Sequence, residues 1–198
     1  MNPFTGVWQQ ADAAKVSDDV LAISLGVAGE VVIDERGIPH IFAEDEAAAI
    51  YLQGYLHARD RLFQMEVATR SASGRLAEIL GPDFLERDRV QRRKGMLVAA
   101  QRMATAWLRN PKTAVAINAY CDGVNAFITQ LAPKDYPIEF KLLDFTPELW
   151  TPLKSALFSK SMAETLCFRN HDLATTNARA LLGDSLFQYL YPEHNPAQ

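Results

Sequence analysis

No apolar run in these 198 residues approaches the roughly 18–20 that a membrane-spanning helix needs, so the sequence carries no such span. Basic charge is not in excess either: the formal net charge is −4, which argues against a nucleic-acid partner, since binding phosphates needs a positive footprint. The densest basic run, Arg87, Arg89, Arg92, Arg93 and Lys94, is interleaved with Glu86 and Asp88 and reads as a solvated or ion-paired surface. Only two cysteines are present, Cys121 and Cys167, both in apolar helical contexts that favour buried free thiols, with a disulfide the lesser alternative. The four histidines stand singly, with no metal-type Cys/His spacing. Phosphate-cradling GxGxxG and GxxxxGK[ST] loops are missing, and so is a GxSxG elbow. Ser159 and Ser161 fall in a helical pattern with no histidine near in sequence, so a Ser-His triad has no support. The start, "MNPFTGVWQQ", has neither a positive n-region nor an apolar h-region and reads as no signal peptide.

What is present is a chain that is 48% hydrophobic, enough for a sizeable single core. An alternating "LAISLGV" suggests a short early strand, and "GEVVIDERGIPHIFAED" predicts a β-hairpin. Its arms are Val31 to Asp34 and Ile38 to Ala43, with Gly37 supplying the positive φ of the turn and Pro39 confining the second arm to an edge or bulge. Asp45 can cap a long helix reaching about Arg70. A short helix around Leu76 to Leu80, then helices over about 88–108 and 112–131, follow from the apolar spacing. A loop over 132–151 is indicated by Pro133, Pro137 and Pro147. Thr151-Pro152 is a cap with proline at the first helical position, starting a helix that carries Phe158, Met162 and Leu166 at i, i+4, i+8. A last helix from about Asp172 stops at Gly183, a turn through Leu186 and Leu190 follows, and a tail closes the chain. Two or three strands cannot cover so many apolar helices, so the chain reads as α+β, mostly helical, and lacking an opposing layer.

The long helix poses a question. Leu52, Tyr55, Leu56, Leu62 and Phe63 form an apolar stripe, yet Arg59 and Glu66 fall on it. Either their stems cross a core edge with the charges in water, or the charges are buried and paired, Glu66 with Arg70 at i+4 or Asp60 with a distant arginine. Neither alternative makes this segment catalytic.

Three stretches, "GIPHIFAED", "QGYLHARDRLFQMEVATRSASGRLAEILG" and "DFLERDRVQRRKG", resemble in order and spacing the N-terminal region of the penicillin acylase family, among the N-terminal-nucleophile hydrolases. "AYCDGVNAFI" and "FTPELWTPLKSALFSKSMA" continue the likeness, which weakens before residue 28 and after about 183. The resemblance implies an α (small) subunit, residues 1–198 with a tail from about 190 leading to an excised spacer. It would contribute to a four-layer αββα sandwich completed by a partner β chain. The β chain would begin with the catalytic serine, whose own α-amino group, titrating near 7.7–8, would act as base. No catalytic residue is then expected on this chain, and Arg59, Asp60, Arg61 and Glu66 take structural roles. The implied reaction is hydrolysis of an N-acyl amide such as a penicillin, a cephalosporin or an acyl-homoserine lactone. The implied location is periplasmic or secreted.

By the same resemblance, Met162 and Leu166 line the acyl side of the substrate pocket. Thr165 stands where the penicillin G enzymes carry a gating arginine, and Leu166 where they carry an aromatic ring, which turns the expected preference toward aliphatic acyl groups. Asp172 is expected to donate one carboxylate to a structural calcium shared with the β chain, with no organic cofactor. Read from the residues alone, Phe158, Met162 and Leu166 are also a plain core stripe, and Asp172 is also a plain helix cap. The alternative for the whole chain is a non-enzymatic helical module that binds a partner protein.

Overall fold

The computed structural model describes residues 28–34, 36–167 and 171–192. The strand expected at "LAISLGV" and the final residues of the expected tail lie outside these. The described residues divide into two compact units at the Ser161–Met162 bond.

The first unit opens with the hairpin, β1 (Gly29–Ile33) antiparallel to β2 (Pro39–Ala43), with Val31 opposite Ile41. The Asp34 carboxylate accepts from the N–H groups of Ile38 (2.8 Å) and Arg36 (3.0 Å), and Gly37 takes φ 75°. A side chain that locks its own turn, plus one residue free to go left-handed, fixes the register. Pro39 pairs with Ile33 at the turn end of the ladder, as the first residue of its strand, where a missing N–H costs least.

Helix α1 (Glu46–Ser73) is capped as its sequence demands: Asp45 accepts from Ala48 N at 2.7 Å, and Gly74 closes it at φ 71°. It bends at Arg61 (φ −141°, ψ 20°), whose guanidinium returns to the carbonyl of Asp60 at 3.0 Å. Short α2 (Ala77–Leu80) follows, then α3 (Leu85–Arg93), α4 (Met96–Arg109), α5 (Pro111–Gln130), α6 (Ile138–Leu142) and α7 (Pro152–Leu166).

Along its length α1 serves three apolar clusters. Leu52, Tyr55 and Leu56 pack under Val31 of the hairpin. Ala58, Leu62 and Met65 join Cys121, Val124, Phe140 and Trp150. Ala72 meets Ala100, Ala104, Ala156 and Leu157. The α1–α5 crossing is close because each helix offers a glycine: a Cβ at Gly54 would stand 2.4 Å from the Tyr120 carbonyl, and one at Gly123 would stand 1.9 Å from that of Tyr51.

Two expected elements differ. The single helix over 88–108 is two, because Gly95 at φ 72° breaks it between α3 and α4. The expected loop over 132–151 contains α6, whose Phe140 is 1% exposed and meets Phe63 edge-on at 5.6 Å. Proline spacing suggested coil there, and burial of one aromatic ring overrode it.

The second unit holds the last turn of α7 and then α8 (Asp172–Leu190). Gly183 interrupts α8 at φ 74°, ψ 161°, where the sequence placed the stop. Arg179 and Asp184 pair across the break at 2.6 Å. Leu173, Leu181, Leu186 and Tyr189 of this unit are all exposed.

Candidate functional site

Of the two ions on the stripe of α1, Glu66 is buried and paired, whereas Arg59 is half-buried against the exposed Asp60. Glu66 is 2% exposed; its Oε1 accepts from Arg70 Nε at 2.8 Å and its Oε2 from Lys154 Nζ at 2.8 Å. Arg70 then reaches Glu78 at 2.6 Å and Glu148 at 2.8 Å, and Arg75 bridges the same two carboxylates. Arg75, with help from Lys154 and Arg70, holds the Glu148 carboxyl down at about 2. A cluster satisfied on every member fixes one arrangement of α1, α2 and α7, because removing a single partner strands a buried charge. Asp60, by contrast, pairs with its neighbour Arg59 (2.7 and 3.1 Å) and, among the described residues, with no distant arginine.

The supposed surface run also contains a buried group. Asp88 accepts from the N–H groups of Leu76 (3.0 Å) and Ala77 (2.8 Å), so α3 supplies the cap that α2 lacks. Glu86, with Arg89, does stay at the surface as expected. Cys121 is buried and its thiol is pushed up to about 11, chiefly by burial; Cys167 is free but exposed, against the expectation that both thiols would be buried.

One cavity of about 520 Å³ opens within the first unit. His57, Arg61, Gln64 and Met65 of α1 form one side. Trp107 of α4, Tyr120 and Ile117 of α5, and Trp150 with Phe158 form the rest. His57 Nδ1 lies 3.0 Å from the Tyr120 hydroxyl with the rings edge-on. Burial pushes the tyrosine up to about 12 and lowers the histidine, the carboxylate of Asp60 opposing the latter shift. Ser155 also faces the cavity, but its Oγ accepts from Trp150 Nε1 at 2.8 Å. The arrangement can hold an apolar or aromatic group against a cationic, amide-bearing edge. It contains no activated nucleophile, and the sequence reading missed it because its walls come from four separate helical segments. The one legible sign was His57, Arg61 and Gln64 at i, i+4, i+7.

Phe158 of the first unit is exposed, and so, in the second unit, are Met162, Thr165 and Leu166, Leu166 at 74%. Asp172 is the first residue of α8 rather than its cap, which is His171. Among the described residues no three His, Cys, Asp or Glu side chains gather to hold a metal. No described helix is long and apolar enough to cross a membrane.

Comparison with known proteins gives a consistent result. The model of the penicillin amidase family matches residues 28–197. The chain is 42% identical over 146 residues to the penicillin acylase 2 proenzyme of Pseudomonas sp. strain SE83, covering 74% of this chain and 18% of that protein. It is 38% identical over 131 residues to penicillin G acylase of Escherichia coli, covering 65% and 15% respectively. It is 32% identical over 178 residues to the acyl-homoserine lactone acylase QuiP of Pseudomonas aeruginosa PAO1, covering 86% and 20%. The chain thus spans a fifth or less of the length of these curated relatives. The fold matches a thermostable penicillin G acylase of Alcaligenes faecalis with a TM-score of 0.76 and 29% identity, over 87% of this chain and 95% of that one.

Proposed function

Because this chain belongs to the penicillin amidase family, we propose that it is the α (small) subunit of an N-terminal-nucleophile amidohydrolase. One observation carries the reading: the fold matches 95% of a solved penicillin G acylase chain while the sequence matches a fifth or less of each curated relative. By the family likeness the catalytic serine lies on the large chain. The reaction is hydrolysis of the amide between an acyl group and an amine, a bond shared by penicillins, cephalosporins and acyl-homoserine lactones. Met162, Thr165 and Leu166 contribute the acyl-side wall of the pocket, and their exposure here supports a role against a second chain. Asp172 gives one oxygen to a calcium whose other ligands lie on the large chain. The assembled protein works in the periplasm or outside the cell.

The test is activity of the separated and assembled proteins against chromogenic N-acyl amides. The complete gene product should turn them over, and this chain alone should not. Turnover by this chain above a heat-treated control would overturn the subunit reading. A complete product with no hydrolytic activity would favour a partner-binding module instead.

A further inference from the structure

The cavity beside α1 has a rim that the rest of the first unit leaves unanswered. Arg59 grips the Asp60 carboxylate with both Nε and NH2, at 2.7 and 3.1 Å. Among the described residues, that leaves Arg61, two residues along, with the backbone carbonyl of Asp60 as its partner. No carboxylate lines the cavity, so its charge is answered by nothing inside it. Beyond the guanidinium the walls are aromatic: Trp107 and Tyr120 are half-buried, and Phe158 is 42% exposed although it faces a cavity. An opening of about 520 Å³ is room for one or two large side chains. Apolar walls left open beside an unpaired cation are the signature of a surface that expects a complementary one.

We propose that this cavity is a socket for the large chain of the same enzyme, filled by an apolar or aromatic side chain flanked by a carboxylate that pairs with Arg61. The proposal rests on the small-subunit reading and adds where the chains lock and by what chemistry. The length of the relatives argues for this occupant: four fifths or more of each lies beyond the matched part, and a piece of that size has to bury the apolar faces this chain leaves open. An aromatic anchor in a desolvated pocket, oriented by one bidentate arginine–carboxylate pair, is the usual form of a binding hot spot. His57 and Tyr120 add a neutral hydrogen-bonded pair to the wall, which favours an apolar insert over a second charge.

The decisive experiment places a photo-crosslinking benzoylphenylalanine at Gln64, at the exposed mouth, in the complete enzyme. Irradiation should join the two chains through a large-chain peptide that holds an apolar residue next to Asp or Glu. A second measurement, independent of the crosslinker, is the rate at which the chains separate in mild denaturant. Arg61→Glu should speed separation on the order of tenfold or more, and Arg61→Lys should keep part of the hold. An assembled, active enzyme that yields no crosslink to the large chain and separates at the wild-type rate as Arg61→Glu would overturn the socket. In that case the subunit reading would stand and the cavity would belong to a small organic acid or to solvent. Recovery of no second chain at all would overturn both.

Discussion

Glu66 and Lys154 are 88 residues apart in sequence and meet at 2.8 Å with both side chains buried. The lysine is the cation that α7 brings to a cluster otherwise built from α1, the turn after it, α2 and the segment before α7, so it ties the far end of the first unit to its longest helix. Replacing it with a shape-similar apolar residue, Lys154→Met, leaves Glu66 half-answered in a dry site. Thermal or denaturant unfolding should show a loss of about 3–5 kcal/mol. The double variant Glu66→Leu with Lys154→Met should lose clearly less than the sum of the two single changes. Strict additivity would mean that the two side chains do not interact energetically.

The α1–α5 crossing makes an equally sharp prediction, because two effects oppose each other. In a helix interior, Gly→Ala stabilises by up to about 1 kcal/mol. At Gly54 and Gly123 the new methyl would press on backbone carbonyls, at 2.4 and 1.9 Å, and a backbone cannot swing aside as a side chain can. Gly54→Ala and Gly123→Ala should each destabilise by about 1–3 kcal/mol in urea titrations. A gain at either position would show that the crossing can widen freely.

Glu148 sets a pH dependence. Its folded pKa of about 2 lies below its usual 4.5, held there first by the hydrogen bond from Arg75. A depressed carboxyl contributes stability that is complete above the unfolded value and is lost as pH falls through 4.5 toward 2. Its side chain is 37% exposed, so solvent screening reduces the effect to about 1 kcal/mol. Melting temperature against pH should therefore fall less steeply for Glu148→Gln than for the wild type between pH 4.5 and 2. Parallel curves would remove Glu148 from the acid response.

Much of the fold could be read in advance because its signals are local. Asp45 and Thr151-Pro152 mark helix starts by chemistry within four residues, and the structure starts helices there. Gly37 and Gly183 gave the turn and the break for the same reason. Gly95 was overlooked because the apolar spacing continues on both sides of it, and spacing says nothing about φ. The fate of the ions was undecidable locally: Glu66 could be matched to Arg70 from i+4 spacing, but Lys154, Glu148 and Glu78 come from other elements. Asp88 looked like surface because its two donors are main-chain N–H groups, which no sequence pattern displays. The cavity was hidden likewise, its aromatic walls being scattered from residue 107 to residue 158.

For the substrate pocket, Met162→Ala and Leu166→Ala in the assembled enzyme should reorder the preference among acyl chain lengths and leave precursor cleavage intact. Each methylene is worth about 1–3 kcal/mol in such a pocket, so kcat/KM ratios between neighbouring acyl groups should move by an order of magnitude. Leu166→Phe should shift the preference between phenylacetyl and aliphatic substrates. A common loss for every acyl group would exclude these residues from the pocket wall.

Asp172→Asn tests the calcium assignment. A lost carboxylate weakens the ion's hold on the folded state, so the melting temperature should drop and respond less to chelator than the wild type does. A cap role predicts almost no change, since Asn caps about as well as Asp, and the structure already gives the cap position to His171. An equal response to chelator in both proteins would remove Asp172 from the ligand set.

The ionic cluster also imposes an order on synthesis. As the chain emerges, Glu66 and Arg70 arrive together on α1, but Glu148 and Lys154 follow only after another 75 residues or more have been made. Until then Arg70 has a surplus of donors and Glu66 one bare oxygen, so the middle of α1 stays wet and its apolar neighbours cannot close over it. Arrival of the 148–154 segment supplies the missing partners, Glu148 to Arg70 and Lys154 to Glu66, adding one carboxylate and one cation to a cluster already balanced in charge. The nascent chain thus has a built-in delay: its central helix cannot bury itself on local partners alone, and closure waits until the segment leading into the last helix of the unit has been translated.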